Sequence, residues 1–71
     1  MKVWLVVQFG ADIDNRVYGV FNNPLSARDV AHAEWGPPAL EEFGVITWGS
    51  KYEPYAQIIP LTVNERVDIL L

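Results

Sequence analysis

An acidic turn near the N-terminus contains the residue types that come closest to a chemical motif. Asp12 and Asp14 lie within the stretch GADIDN. A calcium loop of the EF-hand kind uses oxygen ligands at alternating positions, but it also needs Gly at its sixth position and Glu at its twelfth. Counted from Asp12, those positions hold Val17 and Asn23. Because Asp, Asn and Gly are also the residues that tight turns favour, the stretch predicts a hairpin tip that contacts a partner rather than a metal site.

The remaining titratable residues do not form a catalytic pattern. His32 is the single histidine, and it precedes Glu34 by two residues, which places the two side chains on different sides of a helix. Glu41 and Glu42 are adjacent and would also diverge on a helix, so they do not resemble a glycosidase acid/base pair. A general base needs a nucleophile or a substrate-orienting set beside it, and a metal site needs convergent ligands. We therefore expect no catalytic residues, no metal, no cofactor and no enzymatic activity.

Aromatic side chains are the better candidates for a functional surface. The chain has three Trp, three Tyr and three Phe, and a core of this size can hold about half of these rings. Trp4, Phe21, Trp35 and Phe43 are expected in the core. The rings around a turn near residue 50 fit a core and an interface equally well. The predicted residues of a protein interface are Trp48, Lys51, Tyr52, Glu53, Tyr55, Asp12 and Asp14.

Length, composition and charge limit the class of protein. The 71 residues, 51% of them hydrophobic, predict one domain that spans residues 1–71. The absence of Cys excludes disulfides and thiolate metal sites. The net charge is −4 and the five basic residues are scattered, so direct binding to nucleic acid is disfavoured. No segment reaches the ~18 apolar residues of a membrane span and none resembles a signal peptide. We expect a soluble, cytoplasmic protein.

Two strands and a helix are predicted in the N-terminal half. The apolar run 3–9 predicts a central strand, and the run 16–21 predicts its antiparallel partner across the acidic turn. Gly19 within the second run indicates a bulge or a close backbone contact. The helix is expected to begin after an N-cap at Asn23, with Ser26 as the alternative cap, and to end at the Gly-Pro-Pro step. A small apolar stripe should face the sheet, made of Ala27, Val30, Ala31 and either Glu34 or Trp35.

The C-terminal half is predicted to complete the sheet. Residues 38–44 have Pro at the start and Gly at the end of a short second helix. A third strand is expected at 45–48 and a fourth at 52–59, where Pro54 and Pro60 should either confine the chain to a sheet edge or bend it away from the sheet. A last turn at Asn64-Glu65 leads to a half-exposed strand at 66–71. The order along the chain is β-β-α-(short α)-β-β-β, which is an α+β fold with a small antiparallel sheet and one main helix packed on one face.

The N-terminal half resembles a group of short uncharacterised proteins from bacteriophages and bacteria. These proteins begin with a strand of the K-V-aromatic type, pass through an acidic hairpin into a G-V-F strand, and enter an alanine-containing helix. The matching residues here are Lys2-Val3-Trp4, Asp12 to Asn15, Gly19-Val20-Phe21 and Ala27 to Ala31. The resemblance implies a small α+β fold and a phage origin, and it carries over no catalytic or binding residues.

Three functions remain open from the sequence. The first is a non-enzymatic binding protein, most concretely a phage-type accessory protein that inhibits a host defence protein by covering its surface, as an anti-CRISPR-like inhibitor would. The second is an oligomeric sponge that sequesters a nucleotide or another small signal molecule, with Arg16, Arg28 or Arg66 meeting phosphate. The third is a self-associating structural subunit. The expected partner is a protein, with a small ligand or a homodimer as alternatives, and neither nucleic acid nor membrane is expected.

Overall fold

The computed structural model describes residues 1–10 and 15–63, and it shows an α+β fold with one helix packed on an antiparallel sheet. The sheet has five strands in the order β2-β1-β5-β4-β3. The elements are β1 Lys2–Gln8, β2 Arg16–Phe21, α1 Pro24–Trp35, β3 Leu40–Glu42, β4 Val45–Gly49 and β5 Pro54–Thr62. The predicted fold class is confirmed. Residues 11–14, which make up most of the predicted hairpin tip, lie outside the described residues, and so do the predicted last turn and strand at 64–71.

The predicted hairpin between β1 and β2 is confirmed, and so is the special role of Gly19. Val6 pairs with Gly19 whereas Val7 pairs with Val17, so Tyr18 is the extra residue of a bulge. A Cβ atom on Gly19 would lie 2.8 Å from the ring of Phe21, so a side chain at this position would require that ring to move. The strand β1 lies between β2 and β5, as expected for a central strand.

The helix α1 begins and ends where the sequence predicts. The side chain of Asn23 accepts a hydrogen bond of 2.8 Å from the amide of Leu25, and Pro24 occupies the first helical position. At the other end Gly36 has a φ of +75° and its amide donates to the carbonyl of His32 at 2.8 Å. Ala27 and Ala31 are fully buried, and their small side chains let the helix lie close to the sheet.

Removal of the helix cap gives a direct test of this boundary. We expect Asn23→Ala to lower the free energy of unfolding by about 1 kcal/mol, because the Leu25 amide loses its partner. Urea denaturation followed by circular dichroism measures the change. Asn22→Ala is the matched control, since the neighbouring Asn22 is also exposed and should change stability by less than about 0.5 kcal/mol. Equal midpoints for the two variants would contradict the capping role.

The predicted short helix at 38–44 is wrong, because this segment forms β3 and the turn into β4. Glu42 pairs with Val45, which leaves Phe43 and Gly44 as a two-residue hairpin turn with φ values of +52° and +78°. The amide of Ala39 also donates to the carbonyl of Thr47 at 2.9 Å, ahead of the strand. An isolated helix of this length is marginal, so hydrogen bonding to β4 determines the conformation.

The predicted edge position of the proline-containing strand is also wrong, because β5 lies in the middle of the sheet and extends to Thr62. The amide of Val63 donates to the carbonyl of Met1 and so points to the β1 side of the strand. Backbone amides along a strand point alternately to its two sides, so the nitrogen of Pro60, three residues earlier, points toward β4. The pairing of β4 with β5 reaches only as far as Ile58. The missing amide of Pro60 therefore costs no hydrogen bond to either neighbour.

The core lies between α1 and one face of the sheet, and Trp48 is its most deeply buried ring. The indole Nε1 of Trp48 donates to the carbonyl of Gly36 at 2.8 Å. The centroids of the Trp48 and Trp35 rings are 5.7 Å apart. The predicted core positions of Trp4, Phe21 and Trp35 are confirmed, since all three pack against the buried cluster. The prediction for Phe43 is wrong, because this ring is 97% exposed. The buried cluster consists of Val6, Ala27, Ala31, Ile46, Trp48, Ala56 and Ile58.

Candidate protein-binding surface

The turn between β4 and β5 has a backbone that is fixed by local hydrogen bonds. The amide of Glu53 donates to the hydroxyl of Ser50 at 2.9 Å, and the amide of Ser50 donates back to the carbonyl of Glu53 at 3.4 Å. Gly49 enters the turn with a φ of +100°, a conformation that side-chain-bearing residues rarely adopt. The residues carried by this turn are therefore held in defined positions.

Two tyrosines project toward solvent here, Tyr52 from the turn and Tyr55 from the second residue of β5. Tyr52 is 89% exposed and Tyr55 is 44% exposed. The ring of Tyr55 packs over Gly49, where an added Cβ would lie 2.9 Å from its Cδ2 atom. Lys51 and Glu53 flank the rings and are exposed as well. We call this surface, made of Lys51, Tyr52, Glu53 and Tyr55, the tyrosine turn.

Trp48 does not belong to the tyrosine turn, although the sequence places it beside the other rings. Only 2% of Trp48 is exposed. Its side chain lies opposite Ala56, and this small residue leaves room for the indole under α1. The inclusion of Trp48 in the interface is therefore corrected. Alternation contains the signal that would have separated it: Ile46 and Trp48 are two residues apart and share the face that the helix covers.

Residues on either side of the predicted acidic turn lie near the tyrosine turn. The amide of Phe9, at the end of β1, donates to the carbonyl of Tyr55 at 2.9 Å. The amide of Gly10 donates to the side chain of Asn15 at 3.2 Å, which joins the two sides of the hairpin. The hairpin of β1 and β2 and the tyrosine turn thus lie at the same end of the sheet. Asp12 and Asp14 themselves lie outside the described residues.

A small cavity between α1 and β4 contains the polar residues that a ligand would meet. Its volume is about 200 Å³, which is below the 300–1,000 Å³ of common small-molecule sites. Arg28 and His32 lie one helical turn apart at this cavity, above the buried Trp48. The guanidinium of Arg28 is already bound to the carboxylate of Glu41 on β3. Its size and this ion pair make the cavity a weaker candidate than the tyrosine turn.

The arginines expected of a nucleotide sponge do not converge. Arg28 reaches β3 at one edge of the sheet through Glu41. Arg16 lies on β2 at the opposite edge, where its Cζ atom is 6.0 Å from the centroid of the Tyr18 ring. Arg66 lies outside the described residues. Phosphate binding by these side chains together is therefore not supported by the positions of Arg16 and Arg28.

Sequence reasoning missed one exposed aromatic residue, Phe43 at the turn between β3 and β4. Apolar character alone assigned this ring to the core, and only the hairpin pairing moves it to a turn.

Residues 1–10 and 15–63 contain no group of three His, Asp or Glu side chains that could hold a metal ion. The same part of the chain has no helix of the length and hydropathy needed to cross a membrane. No protein-family model, curated protein or solved structure matches this chain.

Proposed function

We propose that this chain is a small non-enzymatic binding protein that acts by covering the surface of a partner protein. The observation that supports this function is the tyrosine turn, where Tyr52 exposes 89% of its surface on a backbone that hydrogen bonds hold in place. Exposure of one ring would be ordinary. Two rings on one fixed turn, with a charged residue on either side of Tyr52, have the composition of an interface anchor.

The chemistry of tyrosine suits this role. A Tyr ring buries a large apolar area on binding, its hydroxyl hydrogen-bonds at the periphery, and few side-chain torsions are lost. The hydrogen bonds of Ser50 to Glu53 reduce the ordering that binding requires, which raises affinity. Lys51 and Glu53 then serve as the polar rim that excludes water from the rings.

The more specific proposal is a phage-type accessory protein that inhibits a host protein, such as a defence nuclease, in the cytoplasm. The resemblance of the N-terminal half to short phage and bacterial proteins supports the origin. Inhibition by occlusion requires no catalytic residue in the inhibitor.

The test is a comparison of partner binding by the wild type and by a variant that lacks both rings. The tagged protein is used for affinity purification from a bacterial lysate, and the affinity of the recovered protein is measured by calorimetry. We expect Tyr52→Ala with Tyr55→Ala to raise the Kd at least ~30-fold, since both rings are proposed anchors. Thermal unfolding of the double variant should remain cooperative.

Leu25→Ala is the matched control for this experiment. Leu25 is 68% exposed at the first turn of α1, away from the tyrosine turn, so its loss should leave the Kd unchanged. If the double tyrosine variant binds as tightly as the wild type and remains folded, the tyrosine turn is not the contact surface. Failure to recover any specific partner would count against a binding protein of this kind.

A further inference from the structure

The hairpin turn between β3 and β4 carries an aromatic side chain under two separate costs. Phe43 is 97% exposed, so its ring gains nothing from burial. Its φ of +52° is the left-handed conformation, which Asn or Gly adopts more readily than an aromatic residue. A sequence optimised for this turn alone would have Asn followed by Gly, whereas here Phe43 precedes Gly44. An exposed and strained aromatic residue points to a contact beyond residues 1–10 and 15–63 of one copy.

The base of this turn is rigid, so the position of the ring is defined. Glu42 and Val45 form the last pair of the hairpin. A Cβ placed on Gly44 would lie 3.5 Å from the ring of Pro60, which shows that the turn rests against β5. Phe43 therefore extends from a fixed support and needs little ordering before it binds.

A second cavity of about 200 Å³ lies directly beside Phe43. Leu40 and Val45 supply its apolar wall. Within it the side-chain Nε2 of Gln57 donates a hydrogen bond of 3.1 Å to the hydroxyl of Thr47. These residues alternate along their strands with the ones under α1, so the cavity lies on the face of the sheet away from the helix. A projecting ring and a cavity are thus adjacent on one surface.

The cavity has an acidic residue near one end and a basic residue near the other, so two copies can place opposite charges together. Glu42 lies at the end near the β3–β4 turn, and Lys51 lies beyond the opposite end of β4. A two-fold axis that lies between the two facing sheets, perpendicular to the strands, makes the strands of the two copies antiparallel. The β3–β4 turn of one copy then lies beside the opposite end of β4 in the other. Glu42 of each copy then faces Lys51 of the other, which joins unlike charges twice.

We propose that two copies of this chain form a symmetric dimer through these cavities, with Phe43 of each copy covering the cavity of the other. A stable interface buries about 800 Å² per partner, which is about one sixth of the 5103 Å² surface of the chain. This interface shares Lys51 with the tyrosine turn, but neither Tyr52 nor Tyr55 lines the cavity. Phe43→Asn therefore removes the dimer anchor and leaves both tyrosine rings in place. Loss of the dimer and loss of the proposed partner are therefore separable by experiment.

Sedimentation equilibrium on the wild type and on Phe43→Asn tests the proposal. The wild type should reach twice the 8.0 kDa mass of the chain. Phe43→Asn should raise the dimer Kd at least ~30-fold, as expected for loss of a central anchor. Tyr52→Asn is the matched control, because Tyr52 is similarly exposed but does not line the cavity, and its dimer Kd should not change. A wild type that stays monomeric at millimolar concentration, or a Phe43→Asn variant that dimerises normally, overturns the proposal.

Two further measurements exclude simple unfolding and test the register. Because Asn suits a left-handed turn, Phe43→Asn at a concentration where both proteins are monomeric should melt at the same temperature or higher. Glu42→Lys and Lys51→Glu should each weaken the dimer, and the double variant should recover at least half of the lost association free energy, since the exchanged charges again attract. A double variant weaker than both single variants would overturn the antiparallel arrangement.

Discussion

Trp48→Ala should lower the free energy of unfolding by about 3–5 kcal/mol, the largest effect expected of any single substitution here. The indole is 2% exposed and packs with Trp35 and the buried cluster under α1. Its removal also leaves the carbonyl of Gly36 without the hydrogen bond from Nε1. A small domain has about 5–15 kcal/mol of stability in total. The variant should therefore lose a large fraction of its stability and unfold at a much lower urea concentration than the wild type.

Two controls separate the contributions to this effect. Trp48→Phe retains most of the buried ring but removes the donor to Gly36, so we expect a loss of about 1–2 kcal/mol. Tyr52→Ala removes an aromatic ring of comparable size that is 89% exposed, so its effect should stay within about 0.5 kcal/mol. Urea titration followed by far-ultraviolet circular dichroism measures all three. A Trp48→Ala variant as stable as Tyr52→Ala would contradict the central position of the indole.

The second large effect is expected at Gly49, the residue that leads into the tyrosine turn. A Cβ there would lie 2.9 Å from the carbonyl oxygen of Glu53 and 2.9 Å from Cδ2 of Tyr55. With a φ of +100° the backbone is also strained for any residue with a side chain. Gly49→Ala should cost about 2–3 kcal/mol of stability. Because the Tyr55 ring must move, the variant should also bind the proposed partner more weakly.

Gly36→Ala is the control that isolates the contact from the strain. Gly36 has a φ of +75°, but a Cβ at this position would meet nothing within 4 Å. Its substitution should cost less than Gly49→Ala, because only the backbone conformation opposes it. A φ of +75° with a ψ of −156° is a region that glycine adopts readily and other residues adopt at a cost of about 1–3 kcal/mol. Thermal and urea unfolding of both variants give the difference, and partner affinity follows by calorimetry. Equal losses at Gly36 and Gly49 would show that the close approach of Tyr55 does not constrain the turn.

The elements that could be predicted from the sequence are those whose signals are local. Asn23 and Gly36 mark the ends of α1 by their own side-chain and backbone chemistry. Two apolar runs, one on either side of the acidic turn, indicate the first hairpin. The elements that were predicted wrongly depend on distant pairing. Residues 38–44 have helix signals of their own, but β4 provides hydrogen bonds that a short helix could not match.

The same division applies to the candidate surface. The sequence places Trp48, Tyr52 and Tyr55 around one turn, and a core and an interface fit all three rings equally well. Aromatic composition did not separate Trp48, whose burial depends on the small side chain of Ala56 across the sheet. It also misplaced Phe43, since exposure of this ring follows from the pairing of Glu42 with Val45. Strand pairing alone decides the position of Phe43, whereas the alternation of Ile46 with Trp48 is a local signal that already places the indole on the covered face.

The central position of β5 has a consequence for how the chain folds during synthesis. The first strand β1 pairs with β5 along its whole length, from Lys2 with Thr62 to Gln8 with Ala56. The ribosome makes β1 first, but its second neighbour emerges only when nearly all of the described chain has been translated. Until then β1 has one unpaired edge, and such edges recruit other chains. Folding of this sheet should therefore be completed late, after translation has passed Thr62, and its rate should reflect the long sequence separation of its central pair.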